Sequence, residues 1–406
     1  MGKSQKTPAE LFAAQALASQ MKKELTQNIL AYWMQKMNRP EGGFYGRIDG
    51  YEKVDETAPV GNIMAARMLW TFASAYRLLR NEEYLEMAVR ARNFIIDNLY
   101  DSEMGGTFWS VNPDGSPHDT KKQIYAIAFT IYGLAELNRA TGDGLALEYA
   151  IKLFNCIEEH SFDSVKDGYL EAFTREWNPI EDMRLSEKDA NESKTMNTHL
   201  HILEAYTALY RVWNNPLLKE RLRGLIEVFG NRILSDDAHL KLFFDDDWNC
   251  GYDIISYGHD IEASWLLHEA ALVLDDPEVI SRVEKTVPAI AAAAKEGFTP
   301  EGGMIYEKKG DRTDGDRHWW VQAETVTGFF NLWDKFGSQE GLENAIMCWE
   351  FIKSHMIDRE NGEWFWSLRE DGSINRDDDK AGFWKCPYHN GRMCLEIIER
   401  TSAHSK

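Results

Sequence analysis

A unit of about sixty residues recurs six times along the 406-residue chain, and this repeat strongly limits how the chain can fold. Five copies carry an acidic turn, then Gly-Gly, Asp-Gly or Asn-Gly, then aromatic residues in a strand-like pattern. The remaining copy, the fourth, is degenerate and contains no glycine. The six copies of this turn span residues 40–45, 103–109, 166–170, 238–244, 300–306 and 360–366. Six similar units that fill the chain indicate one repetitive architecture.

Two helices are predicted in each copy, and they differ in charge. The first carries charged residues beside an apolar stripe at three-and-four spacing, which is typical of a helix with one face in water. These outer helices are predicted at residues 9–37, 82–100, 145–160, 217–234, 278–295 and 340–356. The second helix is less charged, so we expect it to be buried on most sides. These inner helices are predicted to begin near Asn62, Gln123, Asn197, Gly258, Trp320 and Tyr388.

Six pairs of helices predict an all-α fold, an (α/α)6 barrel of six inner and six outer helices with short β-hairpins in the loops at one end. We expect residues 1–406 to form a single catalytic domain. An open α-solenoid is the rival architecture, but such a fold needs polar capping repeats at its ends, and none is evident. In a closed barrel all six inner helices begin at one end, so polar residues at those starts converge on one cleft.

Charge and cysteine content exclude several classes of function. The 66 acidic and 45 basic residues leave a net charge of -21, which repels nucleic acids and anionic membrane surfaces. The five cysteines include no CxxC pair, so neither a disulfide framework nor a zinc–cysteine site is signalled. No stretch has the apolar core of a signal peptide or of a membrane span, and we expect a cytoplasmic protein. The 14 tryptophans suit stacking on sugar rings, although any single one is more often a core residue.

The inner-helix starts hold the candidate chemical groups. His259 and Glu262 are three residues apart and share a helix face, and His389 and Arg392 repeat this spacing. Two histidines that enter two helices in similar ways suggest two proton-transfer groups facing one site. Arg67 stands in an otherwise apolar stretch, where a buried guanidinium needs an anionic partner or ligand.

Structural roles compete with these functional ones. We expect His199, His268 and His318 to be satisfied core or capping groups, while Glu262 and Glu324 have an even chance of only complementing helix dipoles. The pair His199 and His201 lacks the HExxH pattern, so a metal-free site is favoured over a zinc site assembled from distant helices. No GxGxxG, P-loop or GxSxG motif is present, and no cofactor is expected.

Four segments together resemble the cellobiose 2-epimerase branch of the N-acylglucosamine 2-epimerase superfamily. The resemblance runs from about residue 25 to residue 398, with the motifs in family order. The segments are MNTHLH at 196–201, GHDIEAS at 258–264, HWWVQAE at 318–324 and FWKCPYHNGR at 383–392. The family fold is an (α/α)6 barrel, in agreement with the repeat count. The resemblance implies an isomerase that epimerises C2 of the reducing-end glucose of β-1,4-linked disaccharides such as cellobiose and lactose.

The resemblance also implies roles for individual residues. The sugar ring opens, one histidine removes the C2 proton, and a second histidine reprotonates the planar cis-enediolate on its opposite face. The implied catalytic residues are His259 and His389 as the acid/base pair, with His201 and Arg67 acting on the carbonyl and the oxyanion. The implied substrate-binding residues are Tyr125, Asp189, Asn197, Glu262, Trp320 and Trp384. Trp320 and Trp384 stack on the two sugars, and Asp189, in the loop 181–194, reaches the distal sugar. No cofactor is implied, and we expect a monomer or a weak homodimer.

Several alternatives stay open at this point. A mannose or other aldose–ketose isomerase shares the enediolate but returns the proton to C1, and an N-acylglucosamine epimerase is less favoured by the 383–389 segment. A glycoside hydrolase on the same fold needs two opposed carboxylates, for which Glu262 and Glu324 are the candidates. A non-catalytic glycan-binding protein is a further possibility.

Overall fold

Helices dominate the computed structural model, which describes residues 6–40 and 42–404. Glu41, part of the first predicted turn, lies outside the described residues, as do positions 1–5 and 405–406 of the predicted single domain. The α-helices are α1 Pro8–Glu24, α2 Leu30–Lys36, α3 Asn62–Leu79, α4 Glu82–Phe94, α5 Ile124–Thr141, α6 Gly144–His160, α7 Met196–Val212, α8 Pro216–Val228, α9 Tyr257–Leu274, α10 Pro277–Ala294, α11 Trp319–Phe336, α12 Gln339–His355 and α13 His389–Ala403.

The inner helices form a closed ring. Each of α3, α5, α7, α9, α11 and α13 packs against the next, and α13 packs back against α3. Their residues are buried almost throughout; in α3 every residue from Asn62 to Ala75 is buried. The predicted (α/α)6 barrel is therefore confirmed, and the open solenoid is wrong. Each inner helix begins within one residue of its predicted start.

The outer helices start with a polar side chain that satisfies the exposed backbone N–H groups of the first turn. The capping residues are Thr7, Asn81, Asp143, Asn215, Asp276 and Ser338. Three of these helices include a single π-turn, at Leu25–Ile29, Ile95–Leu99 and Phe229–Ile233. The first π-turn lies between α1 and α2, which together form the outer helix predicted at residues 9–37.

Short strands link neighbouring copies at the end of the barrel where the inner helices begin. The strands are β1 Arg47–Ile48, β2 Val54–Asp55, β3 Val60–Gly61, β4 Ser110–Val111, β5 Pro117–Asp119, β6 Lys122–Gln123, β7 Ala172–Phe173, β8 Lys194–Thr195, β9 Phe243–Phe244, β10 Ile254–Ser256, β11 Glu307–Lys309, β12 Arg312–Asp314, β13 Arg317–His318, β14 Ser367–Leu368 and β15 Ala381–Gly382. Pairing runs from each copy to the next, and β15 pairs with β1, so the strands also close the ring.

Buried lysines hold three of the acidic turns against the inner-helix starts. Lys122 donates to Asp101 and Lys194 to Asp163, each at 2.8 Å, and Lys380 donates to Asp358 at 2.5 Å. All three ammonium groups are almost completely inaccessible, so each depends on its carboxylate partner. Among the described residues, no helix is long and apolar enough to cross a membrane.

Candidate active site

The polar groups of the cleft occupy three equivalent positions of the inner helices. Counted from the first residue of each helix, the second, third and sixth positions lie on one helix face; α13 begins two residues late in this register. The second positions are Ile63, Tyr125, Asn197, Gly258, Trp320 and Tyr388. The third positions are Met64, Ala126, Thr198, His259, Val321 and His389. The sixth positions are Arg67, Phe129, His201, Glu262, Glu324 and Arg392. Of the predicted site residues, only Asp189 and Trp384 lie outside these positions.

His259 and His389 therefore stand at the same position of two different inner helices, on either side of Trp320. The His259 ring centroid lies 4.8 Å from that of Trp320, and the His389 centroid lies 5.7 Å from it. Each imidazole is held through its Nδ1 atom. His389 Nδ1 lies 2.7 Å from Glu324 Oε1, and His259 Nδ1 lies 2.8 Å from Ser256 Oγ. Both histidines thus keep Nε2 available for a ligand.

The partner of His259 differs from the one that helix spacing suggests. Glu262 shares a helix face with His259, yet its Oε1 atom accepts from Arg392 Nη2 at 2.5 Å. The same Glu262 oxygen lies 4.0 Å from His389 Nδ1, farther than the Glu324 contact. Glu324, and not Glu262, is therefore the carboxylate that orients a histidine of the pair.

His201 lies beside Tyr125, with ring centroids 4.9 Å apart. Its Nδ1 atom is 2.9 Å from Glu204 Oε2, one turn along the same helix. Because a carboxylate only accepts, this contact places the His201 proton on Nδ1 and leaves Nε2 as an acceptor. Glu204 was not anticipated from the sequence, although its position three residues after His201 is the signal that predicts such a pair.

Arg67 is a buried cation that binds no carboxylate among the described residues. Its side chain is 3% exposed. Nη2 donates to Tyr125 OH at 2.7 Å and Nη1 to the Trp384 carbonyl at 3.2 Å, while Nε is buried without a hydrogen-bond partner. The guanidinium packs 4.2 Å from the centre of the Phe129 ring. Burying a full positive charge without a negative partner costs free energy, so such a group is expected where an anion binds.

Arg392 has the opposite surroundings, since it is fully buried among three carboxylates. Nη2 donates to Glu262 at 2.5 Å and to Glu324 at 2.6 Å, and Nη1 donates to Glu204 and to the Tyr388 hydroxyl. One guanidinium therefore links the carboxylate that holds His389 to the carboxylate that holds His201. This network, spread over the four inner helices α7, α9, α11 and α13, makes the orientations of the two histidines interdependent.

Burial controls the protonation states in this cleft. Burial, followed by repulsion from Glu324, raises the pKa of Glu262 above its ordinary value. Burial alone would also raise the pKa of Glu204, but attraction to Arg392 and the bond to His201 outweigh it and lower the value to about 2. Burial lowers the pKa of His259 to about 3 and lowers those of His201 and His389, so all three imidazoles rest neutral.

The same cluster resembles a metal site in composition only. Glu262, Glu324 and His389 offer ligand atoms that all lie within 4.8 Å of one another. Arg392 Nη2 already contacts both carboxylates, so its positive charge occupies the place that a divalent cation would take. The residues do not fit a resident metal ion.

The remaining predicted binding residues differ in how well their contacts suit a role in binding a ligand. Asn197 presents a buried Oδ1 atom with no hydrogen-bond partner in the described part of the chain, as expected of a group that awaits a hydroxyl. The Trp384 ring is half-buried and lies 6.3 Å from that of Tyr125. Asp189 accepts from the backbone and hydroxyl of Ser186, both at 2.9 Å, so its contacts fold its own loop.

The histidines assigned structural roles differ in how well they are satisfied. His199 accepts from the Tyr169 N–H at 2.9 Å and contacts the Thr195 carbonyl at 2.6 Å, so both ring nitrogens hold the backbone. His318 stacks on Tyr306 with ring centroids 4.0 Å apart. His268 lies in the second half of its helix, buried against Phe336, and contrary to the prediction of a satisfied group neither of its ring nitrogens has a hydrogen-bond partner in the described part of the chain. None of the three joins the pair.

The chain is similar in sequence and in fold to several known proteins. The family model of N-acylglucosamine 2-epimerase (GlcNAc 2-epimerase) matches residues 43–391. A cellobiose 2-epimerase of Bacteroides fragilis is 62% identical over 386 residues, which cover 94% of this chain and 98% of that protein. The structure of cellobiose 2-epimerase from Bacillus thermoamylovorans B4167 superposes with a TM-score of 0.91 at 39% identity, covering 95% of this chain and 100% of that one. A D-mannose isomerase of Marinomonas mediterranea is more distant, at 25% identity over 92% of this chain and 95% of its own.

Proposed function

The chain belongs to the N-acylglucosamine 2-epimerase family, and we propose on this premise that it is a cellobiose 2-epimerase. It is an isomerase of the EC 5.1.3 type that interconverts glucose and mannose at the reducing end of β-1,4-linked disaccharides. The observation that carries this assignment is the near full-length identity to the Bacteroides fragilis enzyme. A cleft with two equivalent histidines on separate helices supports it, because epimerisation needs a proton-transfer group on each face of the substrate.

The reaction begins with opening of the sugar ring to the free aldehyde. One histidine removes the proton on C2, and the electrons of that C–H bond move into a C1–C2 double bond, leaving negative charge on O1. The second histidine then delivers a proton to the opposite face of C2, and the C1 carbonyl re-forms. His259 and His389 take these two roles, which exchange when the reaction runs in reverse.

The partners of the two histidines suit these exchanging roles. Glu324 only accepts from His389 Nδ1, so the His389 Nε2 atom carries the lone pair that a base requires. Ser256 Oγ can donate to His259 Nδ1 or accept from it, so His259 Nε2 can hold a proton or receive one. The resting cleft therefore contains one nitrogen ready to accept the C2 proton and one able to deliver a proton.

Arg67 stabilises the charge that develops during the reaction. Its guanidinium lacks a carboxylate partner, so its field is not cancelled locally. An enediolate at O1 or O2 supplies the missing anion only when the proton has left C2, and such stabilisation accelerates the reaction. His201 assists at the carbonyl oxygen or during ring opening, since its ring lies beside the Tyr125 that contacts Arg67.

The remaining residues bind the sugar. Asn197 offers its unpaired amide oxygen to a hydroxyl group. Trp320, between the two histidines, stacks on a sugar ring, and Trp384 stacks on the other. Asp189 and its loop contact the distal sugar, while Tyr125 and Glu262 support the groups around C1 and C2.

The alternatives have less support. A retaining or inverting glycosidase needs two carboxylates on opposite sides of a glycosidic bond, whereas Glu262 and Glu324 bind one nitrogen of Arg392. An aldose–ketose isomerase shares most of this site, but the mannose isomerase relative is much less similar than the epimerases.

The domain organisation, oligomeric state and location of the enzyme are also proposals. Residues 1–406 are proposed to form a single catalytic domain that acts on a disaccharide as a monomer or weak homodimer. The five cysteines are all unpaired, which supports a reducing, cytoplasmic location.

Incubation with cellobiose in heavy water, followed by NMR, tests the assignment. The expected product is a disaccharide with mannose at the reducing end and deuterium at its C2. Free glucose would indicate hydrolysis, and a ketose would indicate isomerisation; either as the main product would overturn the assignment.

A further inference from the structure

The acidic turn of each copy ends at a bridge residue that pairs with a residue just after the end of the outer helix. These bridge residues are Phe44, Thr107, Tyr169, Leu240, Met304 and Trp364. The residue immediately before the bridge residue is therefore equivalent in all six copies. It is glycine in copies one, two, three and five, as Gly43, Gly106, Gly168 and Gly303. Only the fourth and sixth copies depart, with His239 and Glu363.

The backbone conformation explains three of the four glycines at this position, whereas Gly303 and His239 do not have a positive φ. Gly43, Gly106 and Gly168 have φ angles of 69°, 70° and 81°, in the left-handed region that glycine adopts without a steric penalty. Glu363 adopts the same conformation, with a φ of 59°. The left-handed backbone conformation is unfavourable for a residue other than glycine. A glutamate kept at this position therefore indicates that its side chain has a role there.

The Glu363 carboxylate binds the segment that carries His389. Oε1 accepts from Lys385 Nζ at 3.0 Å and from Asn390 Nδ2 at 2.7 Å, and Oε2 accepts from Trp33 Nε1 at 2.7 Å. Asn390 directly follows His389, and Lys385 stands four residues before it. Glu363 thus anchors both sides of His389, and every group in this cluster is buried.

His239 makes the corresponding contact in the fourth copy. Its Nδ1 atom lies 2.7 Å from Asp260 Oδ2, and Asp260 Oδ1 accepts from the Leu240 N–H at 2.9 Å. Asp260 directly follows His259, as Asn390 follows His389. In the third and fifth copies the equivalent helix residues, His199 and Gln322, bind the turn backbone directly and need no side chain from the glycine position.

We propose that His239 and Glu363 are positioning residues, which fix the helix starts that carry His259 and His389 respectively. The inference rests on the proposed function, because it presumes that these two histidines form the acid/base pair. The two copies that replace the turn glycine are the two copies whose inner helix holds a member of the pair. Each replacement acts on the residue next to that histidine, so each should affect proton transfer on one face of C2.

The test compares exchange of the C2 proton with solvent deuterium, starting separately from each epimer of the disaccharide. A histidine that works alone still exchanges the epimer whose C2–H faces it. The ratio of the two initial exchange rates therefore reports the balance between the histidines, and the fraction of folded protein cancels from it. The variants are Glu363→Gly and His239→Gly, which restore the residue of the other copies, with Glu363→Gln as a conservative change.

The control is His199→Leu, which breaks the equivalent turn contact in a copy that carries neither member of the pair. We expect Glu363→Gly to shift the exchange ratio about tenfold or more in one direction and His239→Gly to shift it in the other. Glu363→Gln should produce a smaller shift with the sign of Glu363→Gly, and His199→Leu should leave the ratio unchanged.

Shifts of both glycine variants in the same direction, or ratios equal to that of the wild type, would overturn the positioning roles. A wild-type protein that incorporates no deuterium at C2 of either epimer would instead contradict the proposed function itself. The two failures are therefore distinguished within one experiment.

Discussion

Two buried arginines at equivalent positions of their helices should respond to the same substitution in opposite ways. Arg67 has no carboxylate partner, whereas Arg392 contacts Glu204, Glu262 and Glu324. Methionine fits between the aromatic rings that now surround the Arg67 guanidinium, at 4.2 Å from Phe129 and 4.9 Å from Tyr388. Arg67→Met should therefore test catalysis with little loss of stability.

The magnitude follows from Coulomb's law. A guanidinium about 4 Å from an enediolate oxygen contributes about 4 kcal/mol at an effective dielectric constant of about 20. Such an energy corresponds to a loss of about a thousandfold in kcat, in line with the removal of one strong oxyanion donor. The free energy of unfolding should stay within about 2 kcal/mol of the wild type, because only hydrogen bonds to neutral acceptors are lost and a costly buried charge is removed.

Steady-state kinetics on cellobiose and denaturant unfolding of the same samples provide the assay. Arg392→Met is the matched control, and it should lower the free energy of unfolding by about 3–5 kcal/mol because three buried carboxylates lose their cation. A large loss of stability in Arg67→Met together with nearly normal kcat would refute the reasoning, since Arg67 would then be a structural cation.

Four other predictions follow from the contacts of single residues. Glu324→Gln should lower kcat by about tenfold to a hundredfold with little change in KM, because it weakens the contact that orients His389 and leaves the tryptophans that bind the sugar unchanged. If kcat/KM fell equally but only through a higher KM, Glu324 would not have an orienting role. Asn197→Ala should raise KM, and it should not lower the melting temperature, because the amide oxygen has no partner in the described residues. The melting temperature should fall as pH drops from about 4.5 towards 2, where the native Glu204 carboxylate, whose pKa is lowered, becomes protonated. The melting temperature should also decline as pH rises above about 4.5, because the raised pKa of Glu262 makes the native protein keep a proton that the unfolded chain has already lost. Glu262→Gln should remove this decline. A decline that persists in Glu262→Gln would show that another group causes it.

Most of the architecture was predictable because it is written in local patterns. The turn recurs at a nearly constant interval, and the inner-helix starts near Asn62, Gly258 and Trp320 follow from where charged residues give way to apolar ones. Turn closure at left-handed residues such as Gly43 and Gly106 is a property of a few neighbouring residues. Such features need no knowledge of contacts between distant parts of the chain.

The pairing of groups in the cleft was predictable only in part. Helix spacing placed Glu262 beside His259, but the barrel brings Arg392 to Glu262 from another helix, and a guanidinium binds a carboxylate more strongly than a neutral imidazole does. Glu324 reaches His389 across 65 residues of sequence, a contact that only ring closure creates. The shared register of the six inner helices was available in the sequence, and aligning the copies on their helix starts would have placed His259 and His389 at one position.

The most direct test of the two-histidine mechanism is C2 exchange in heavy water with His259→Asn and His389→Asn, each epimer of the disaccharide being followed separately by NMR. Each single variant should lose epimerisation yet continue to exchange C2 of one epimer, and the surviving epimer should differ between the two variants. Epimerisation that survives in either variant, or loss of exchange from the same epimer in both, would contradict proton transfer by His259 and His389 on opposite faces of C2.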